Sequence, residues 1–254
     1  MSYANSSIPQ SAQAGVHERL DAVVRKHLAQ PFRKPLTAYN RQAFDSSLAG
    51  WDGRAPLILD AGCGVGHSTI QIARAYPDHW VIGVDQSQDR LERKKPYPEA
   101  LIPRNLVFVR ADLVDYWRLL DEAGLRLARH YILYPNPWPK IGHLSRRWHA
   151  HPVFPFIPRL GGVLECRSNW DVYLREMSAA LSIALGREVA WQAFVADLPI
   201  SPFERKYRDS GQTLYRLKLD LGAAASVGQA GESIIDLPSS LASATLRPIS
   251  GDLP

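Results

Sequence analysis

The feature that most narrows the fold is the stretch at residues 57–73, LILDAGCGVGHSTIQIA. A short apolar run leads straight into three glycines at alternate positions, and a helical pattern follows. Such a run is a buried strand, and side-chain-free positions let the backbone turn sharply and approach a ligand closely. The same alternation continues downstream. HWVIGVD, NLVFVRAD, LARHYILYP and GGVLECRS read as four further strands, and WDVYLREMSAALSIALG as a helix. VAWQAFVAD and TLYRLKLDL read as two alternating strands close enough in sequence to form an antiparallel edge. Strands alternating with helices imply a parallel sheet. The expectation is therefore a doubly wound, seven-stranded, mostly parallel α/β sheet. Two helices precede it, in VHERLDAVVRKHLAQ and LTAYNRQAFDSSLAG, separated by Pro31 and Pro35.

The 254 residues suffice for one such domain, expected over 16–221. Residues 1–15 are polar and residues 222–254 rich in Ala, Ser, Gly and Pro, so both are expected to be disordered. No run of 18 apolar residues exists, and the first residues lack a basic start with an apolar core, so neither membrane span nor secretory signal is expected. Cys63 and Cys166 lack ligand spacing and fit buried thiols of a cytoplasmic protein. One arginine against three acids makes residues 222–254 net −2, so the total of +5 leaves +7 on the residues before them. A basic body suits a polyanion such as nucleic acid, although ordinary solubility charge explains it equally well. The block RLERKK at 90–95 reads as a solvated helix face.

Asp60 precedes Gly62, Gly64 and Gly66, and Asp85 ends the next strand 19 residues after Gly66. A carboxylate there can accept both hydroxyls of a ribose. The spacing is G-x-G-x-G, unlike the G-x-G-x-x-G of dinucleotide enzymes, which counts against an NAD or NADP reductase. Together with Asp60 it resembles motif I of the class I, Rossmann-like S-adenosylmethionine-dependent methyltransferases. That resemblance implies a loop passing the methionine part of S-adenosyl-L-methionine, Asp85 on the ribose, and Asp112 after the third strand on the adenine amine.

The fourth strand runs into YPNPWPKIGHLSRRWH, residues 134–149. Loops at the carboxyl ends of strands face the ligand in open α/β sheets. Asn136-Pro137-Trp138-Pro139-Lys140, with His143, Arg146 and Arg147, resembles the D-P-W-x-K segment and following basic residues of the bacterial tRNA (guanine-N7-)-methyltransferases. Ser168-Asn169-Trp170-Asp171-Val172-Tyr173 is similar to that family's T-D-W-x-x-Y, and Ser201-Pro202-Phe203-Glu204 to its T-x-[FY]-E. The resemblance covers roughly residues 16–221.

It implies methyl transfer to N7 of a guanine in tRNA. Asn136 is then the catalytic residue and also touches the cofactor. Lys140, Arg146, Arg147, Asn169, Ser201, Pro202, Phe203 and Glu204 bind substrate. Trp138 and Trp170 can stack on a base or pack in the core, and His143, His149 and His151 add to the basic cluster. A monomer or weak dimer acting on tRNA, without membrane or metal, is expected.

Both family aspartates are asparagine here, Asn136 and Asn169. Guanine N7 carries a lone pair, so its methylation needs no general base, and losing a carboxylate slows rather than forbids it. The Asn-Pro-aromatic run is also similar to the N-P-P-Y loop of methyltransferases that modify exocyclic amines. An amine or small-molecule acceptor, or a non-catalytic RNA-binding relative, therefore stays open.

Overall fold

The computed structural model describes residues 7–92 and 102–222. The strands are β1 (Leu57–Ala61), β2 (Trp80–Asp85), β3 (Leu106–Arg110), β4 (Leu127–Leu133), β5 (Val163–Ser168), β6 (Gln192–Phe194) and β7 (Leu214–Asp220). They form one sheet in the order β3-β2-β1-β4-β5-β7-β6. β1 to β5 are parallel, and β7 runs antiparallel between β5 and β6, with Val163 opposite Asp220. The antiparallel pairing of the last two strands is as the sequence suggested, but β7 lies inside the sheet and the short β6 forms the edge.

The helices are α1 (Leu20–Ala29), α2 (Ala38–Leu48), α3 (His67–Ala75), α4 (Gln88–Glu92), α5 (Leu113–Glu122), α6 (Phe156–Arg159), α7 (Asp171–Leu185) and α8 (Pro202–Asp209). α5 follows from caps and pattern: the Asp112 carboxylate accepts the Val114 N–H, and Leu113, Val114, Tyr116, Trp117, Leu119 and Leu120 are buried. Pleat alternation splits the core. Leu57, Leu59 and Ala61 join a large cluster with α1, α2, α5 and α7, whereas Ile58 points to the other face, beside Ile72 and Ala73 of α3.

At Gly162 (φ 66°) a Cβ would stand 2.0 Å from the Leu127 carbonyl oxygen, so only glycine lets the chain enter β5 against β4. The carboxyl ends of β1 to β5 share one rim, which carries the site.

One expectation needs correction. Residues 7–15 do not hang free, because Ser11 Oγ donates to the Pro139 carbonyl at 2.6 Å and Gln13 Nε2 to Glu176 Oε1 at 2.6 Å. Of the block at 90–95, Arg90 and Glu92 are exposed on α4, as expected, with Leu91 buried between them, and 93–95 fall outside the described residues, as do 223–254.

Candidate active site

A cavity of about 580 Å³ opens at this rim, within the range of ligand sites. At one end are Gly62, Cys63, Gly64, Asp85 and Asp112; at the other are Tyr134, Asn136, Asn169, Pro202 and Phe203.

The first end is built by local backbone bonding. The Gly62 and Cys63 N–H groups both donate to the Val84 carbonyl, and the Gly64 N–H donates to Asp85 Oδ2 at 2.9 Å. Asp85 Oδ1 accepts the Ser87 N–H at 2.8 Å, and Arg90 Nη1 approaches Oδ2 at 3.5 Å. A Cβ on Gly64 would meet nothing within 4 Å, so the loop leaves open space for a ligand. Asp112 lies on the wall while capping α5, with Lys34 4.0 Å away.

Asp60 and Gly66 are not on the wall. Asp60 is buried and accepts Ser68 Oγ at 2.6 Å and Thr69 Oγ1 at 2.8 Å, fastening the first turn of α3. Burial pushes its carboxyl up to about 6, against the pull of those two hydroxyls. Gly66 (φ 77°) is excluded by packing, since a Cβ there would come 2.5 Å from the Phe108 ring. Both residues shape the loop and neither is placed to touch a cofactor.

The second end is a strained loop. Tyr134 (φ 51°) and Trp138 (φ 47°) are left-handed, costly for bulky residues, and they bracket Pro135-Asn136-Pro137. The loop persists because its neighbours hold it. Tyr134 N–H donates to the Arg167 carbonyl at 2.8 Å, and its hydroxyl donates to Glu204 Oε1 at 3.0 Å. The Trp138 carbonyl accepts Arg147 Nε at 3.3 Å and Nη2 at 3.1 Å. Asn136, exposed, accepts the Trp138 N–H on its own Oδ1 at 3.3 Å. Asn169 Nδ2 donates to Gln212 Oε1 at 2.8 Å.

Several residues expected to bind substrate instead hold the site together. Arg147 is fully buried, paired to Glu176 Oε2 at 2.5 Å and seated 5.0 Å over the Trp170 ring, so no phosphate can reach it. Its neighbour Arg146 is exposed and lies 4.7 Å over the Trp138 ring. Glu204 is also fully buried, binding Arg167 Nη1 at 2.7 Å and the Ile200 N–H at 2.8 Å. Ser201 Oγ caps α8 by accepting the Glu204 N–H at 3.1 Å.

His149 leaves the basic cluster, being buried against Glu176 at 2.8 Å, and burial lowers its pKa. Trp170 is buried, whereas Trp138 remains half-buried. Lys140, Arg146, Arg205 and Phe203 stay exposed. Tyr207 stacks beside Phe203 at 6.2 Å and also lines the cavity. Among the described residues no cluster could hold a metal ion, and no helix is long and apolar enough to cross a membrane.

Sequence reasoning missed Tyr134, Tyr207 and Glu176. Only Glu176 left a trace: an acid three residues after Tyr173 and four before Ala180, in the buried stripe of α7.

Residues 54–217 match the model of the family described as "Putative methyltransferase". The tRNA (guanine-N(7)-)-methyltransferase of Stutzerimonas stutzeri is 31% identical over 179 residues, 65% of this chain and 72% of that protein. Its counterpart in Pseudomonas aeruginosa is 32% identical over 182 residues, 66% of this chain and 71% of that protein. Among solved structures, a 16S rRNA (adenine(1408)-N(1))-methyltransferase from Catenulisporales acidiphilia superposes with a TM-score of 0.49 at 18% identity, over 79% of this chain and 97% of the other. The chain belongs to the tRNA (guanine-N7-)-methyltransferase family, as a divergent member.

Proposed function

We propose that the protein methylates N7 of a guanine in tRNA, using S-adenosyl-L-methionine. The observation that carries this reading is the chemistry of the cavity wall. Its two carboxylates, Asp85 and Asp112, stand at the glycine-loop end, and the acceptor end offers the amides Asn136 and Asn169. Methylation at a ring nitrogen with a free lone pair asks for no proton acceptor, and among the described residues the acceptor end has no carboxylate on the wall.

The cofactor fits the first end. Gly64 leaves the backbone bare, Asp85 can take ribose hydroxyls, and Asp112 keeps an oxygen for an adenine amine. When bound, the cofactor supplies an electrophilic methyl on a sulfonium. The protein's part is positioning. Phe203, 55% exposed, offers a ring face to a base. Asn169 has its Nδ2 tied to Gln212, leaving Oδ1 to accept a guanine N–H. Exposed Lys140, Arg146 and Arg205 suit phosphate contacts around the mouth. An exocyclic-amine acceptor is less well served, because the Asn136 oxygen it would need already takes the Trp138 N–H.

The test is methyl-labelled cofactor with unmodified tRNA, followed by nucleoside analysis. Label in 7-methylguanosine is expected. Label in a base methylated on its exocyclic amine, or none, would overturn the reading.

A further inference from the structure

In the thirteen described residues ahead of α1, 7–19, the chain lies across the site described above. Ser7 and Pro9 line the same cavity as Asn136. Ser11 Oγ grips the carbonyl of Pro139, the residue after Trp138, at 2.6 Å. Gln13 then enters a buried network. Its Nε2 donates to Glu176 Oε1 at 2.6 Å, and its Oε1 accepts Arg147 Nη1 at 3.0 Å. The His17 N–H adds a bond to Glu176 Oε1 at 3.0 Å. Glu176 Oε2 takes Arg147 and His149. Every oxygen of the carboxylate is used, and Arg147 is left with Nε and Nη2 aimed together at the Trp138 carbonyl.

One amide side chain thus ties the N-terminal segment to α7 directly, and to the loop that carries Asn136 through Arg147. The planar fork of Arg147 fixes a direction as well as a charge, which an ammonium cannot do. The strained Trp138 is held from outside its own loop, and the holder is completed by residues far away in sequence.

Resting on the methyltransferase reading, we propose that Gln13, Arg147 and Glu176 are positioning residues, through which the N-terminal segment sets the geometry of the 134–140 loop for methyl transfer. Loss of Gln13 leaves Arg147 and Glu176 paired, so the fold stands while the loop loosens.

The test uses the full chain with two substitutions, Gln13→Ala and Arg147→Lys, the second keeping a charge opposite Glu176. Three quantities are measured: hydrogen exchange by region, the single-turnover rate on tRNA at saturating cofactor, and S-adenosylhomocysteine binding by calorimetry. Both variants should speed exchange in the 134–140 loop severalfold, with β1 and β5 unchanged. The rate should fall about tenfold, with the dissociation constant within about twofold of wild type.

Unchanged loop exchange overturns the proposal, as does exchange rising in loop and core alike, which would mark a purely structural role. A faster-exchanging loop with an undiminished rate also overturns it. Exchange and calorimetry need no turnover. A wild-type protein that methylates no tRNA therefore sinks the activity reading, while the exchange pattern still decides whether Gln13 holds the loop.

Discussion

The two ends of the cavity are built in different ways. At the glycine loop itself the contacts are short in sequence: Gly64 to Asp85 spans 21 positions and Asp60 to Ser68 eight, and Asp112 beside it is also reached from afar, by Asn40 across 72. At the acceptor end Ser11 reaches Pro139 across 128 positions, Gln13 reaches Glu176 across 163, and Tyr134 reaches Glu204 across 70. The first end is a turn that folds around its own backbone. The second is a strained loop clamped by distant groups, whose parts do nothing until the whole chain has packed. Motifs at both ends therefore mix residues that line the cavity with residues that hold it, Asp60 and Gly66 at the first and Arg147 and Glu204 at the second.

Adjacent arginines offer the sharpest way to break that contrast. Arg147→Ala takes from buried Glu176 its arginine partner, leaving Gln13, the His17 N–H and His149, and should cost about 3–5 kcal/mol in denaturant unfolding. Arg146→Ala should stay within about 0.5 kcal/mol of wild type in the same experiment. Equal losses would mean that the two arginines do not divide into holder and toucher.

At the other end, Asp85→Ala removes a charged acceptor from the wall and should weaken S-adenosylhomocysteine binding about ten- to a hundredfold by calorimetry. A folded variant with unchanged affinity would remove Asp85 from the cofactor site. On the proposed reaction, Asn136→Asp puts a carboxylate on the cavity wall facing a ring that gains positive charge, and should raise the single-turnover rate on tRNA about tenfold, or 1.4 kcal/mol. A slower variant would show that the amide itself is the working group.

The smallest effect belongs to Arg146→Ala on RNA. The slope of log affinity against log salt should flatten by about one unit, for one lost phosphate contact. A slope identical to wild type would place Arg146 outside the RNA footprint.

The sheet was legible because its strands are short apolar runs whose period and flanking turns are local. β1, β2 and β5 match their sequence patterns almost residue for residue. The position of β7 inside the sheet was not, since strand order is a matter of long-range packing. In the site, Gly62, Gly64, Asp85 and Asp112 sit where their spacing put them, on the cavity wall. Glu204, Arg147 and His149 did not declare themselves, because burial separates a binding charge from a structural one and sequence carries no burial at a single polar position. Arg146 and Arg147 are the same residue type one step apart, and only the turn between them sends one inward.

Because β7 runs antiparallel, its last residue, Asp220, pairs with Val163, the first residue of β5. The described chain thus ends, at residue 222, on the rim opposite the cavity, while Ser7 lines the cavity itself. For anyone immobilising this enzyme, a support joined at residue 222 is anchored on the far side and leaves the opening turned toward solution. A label joined at Ser7 would sit in the cavity.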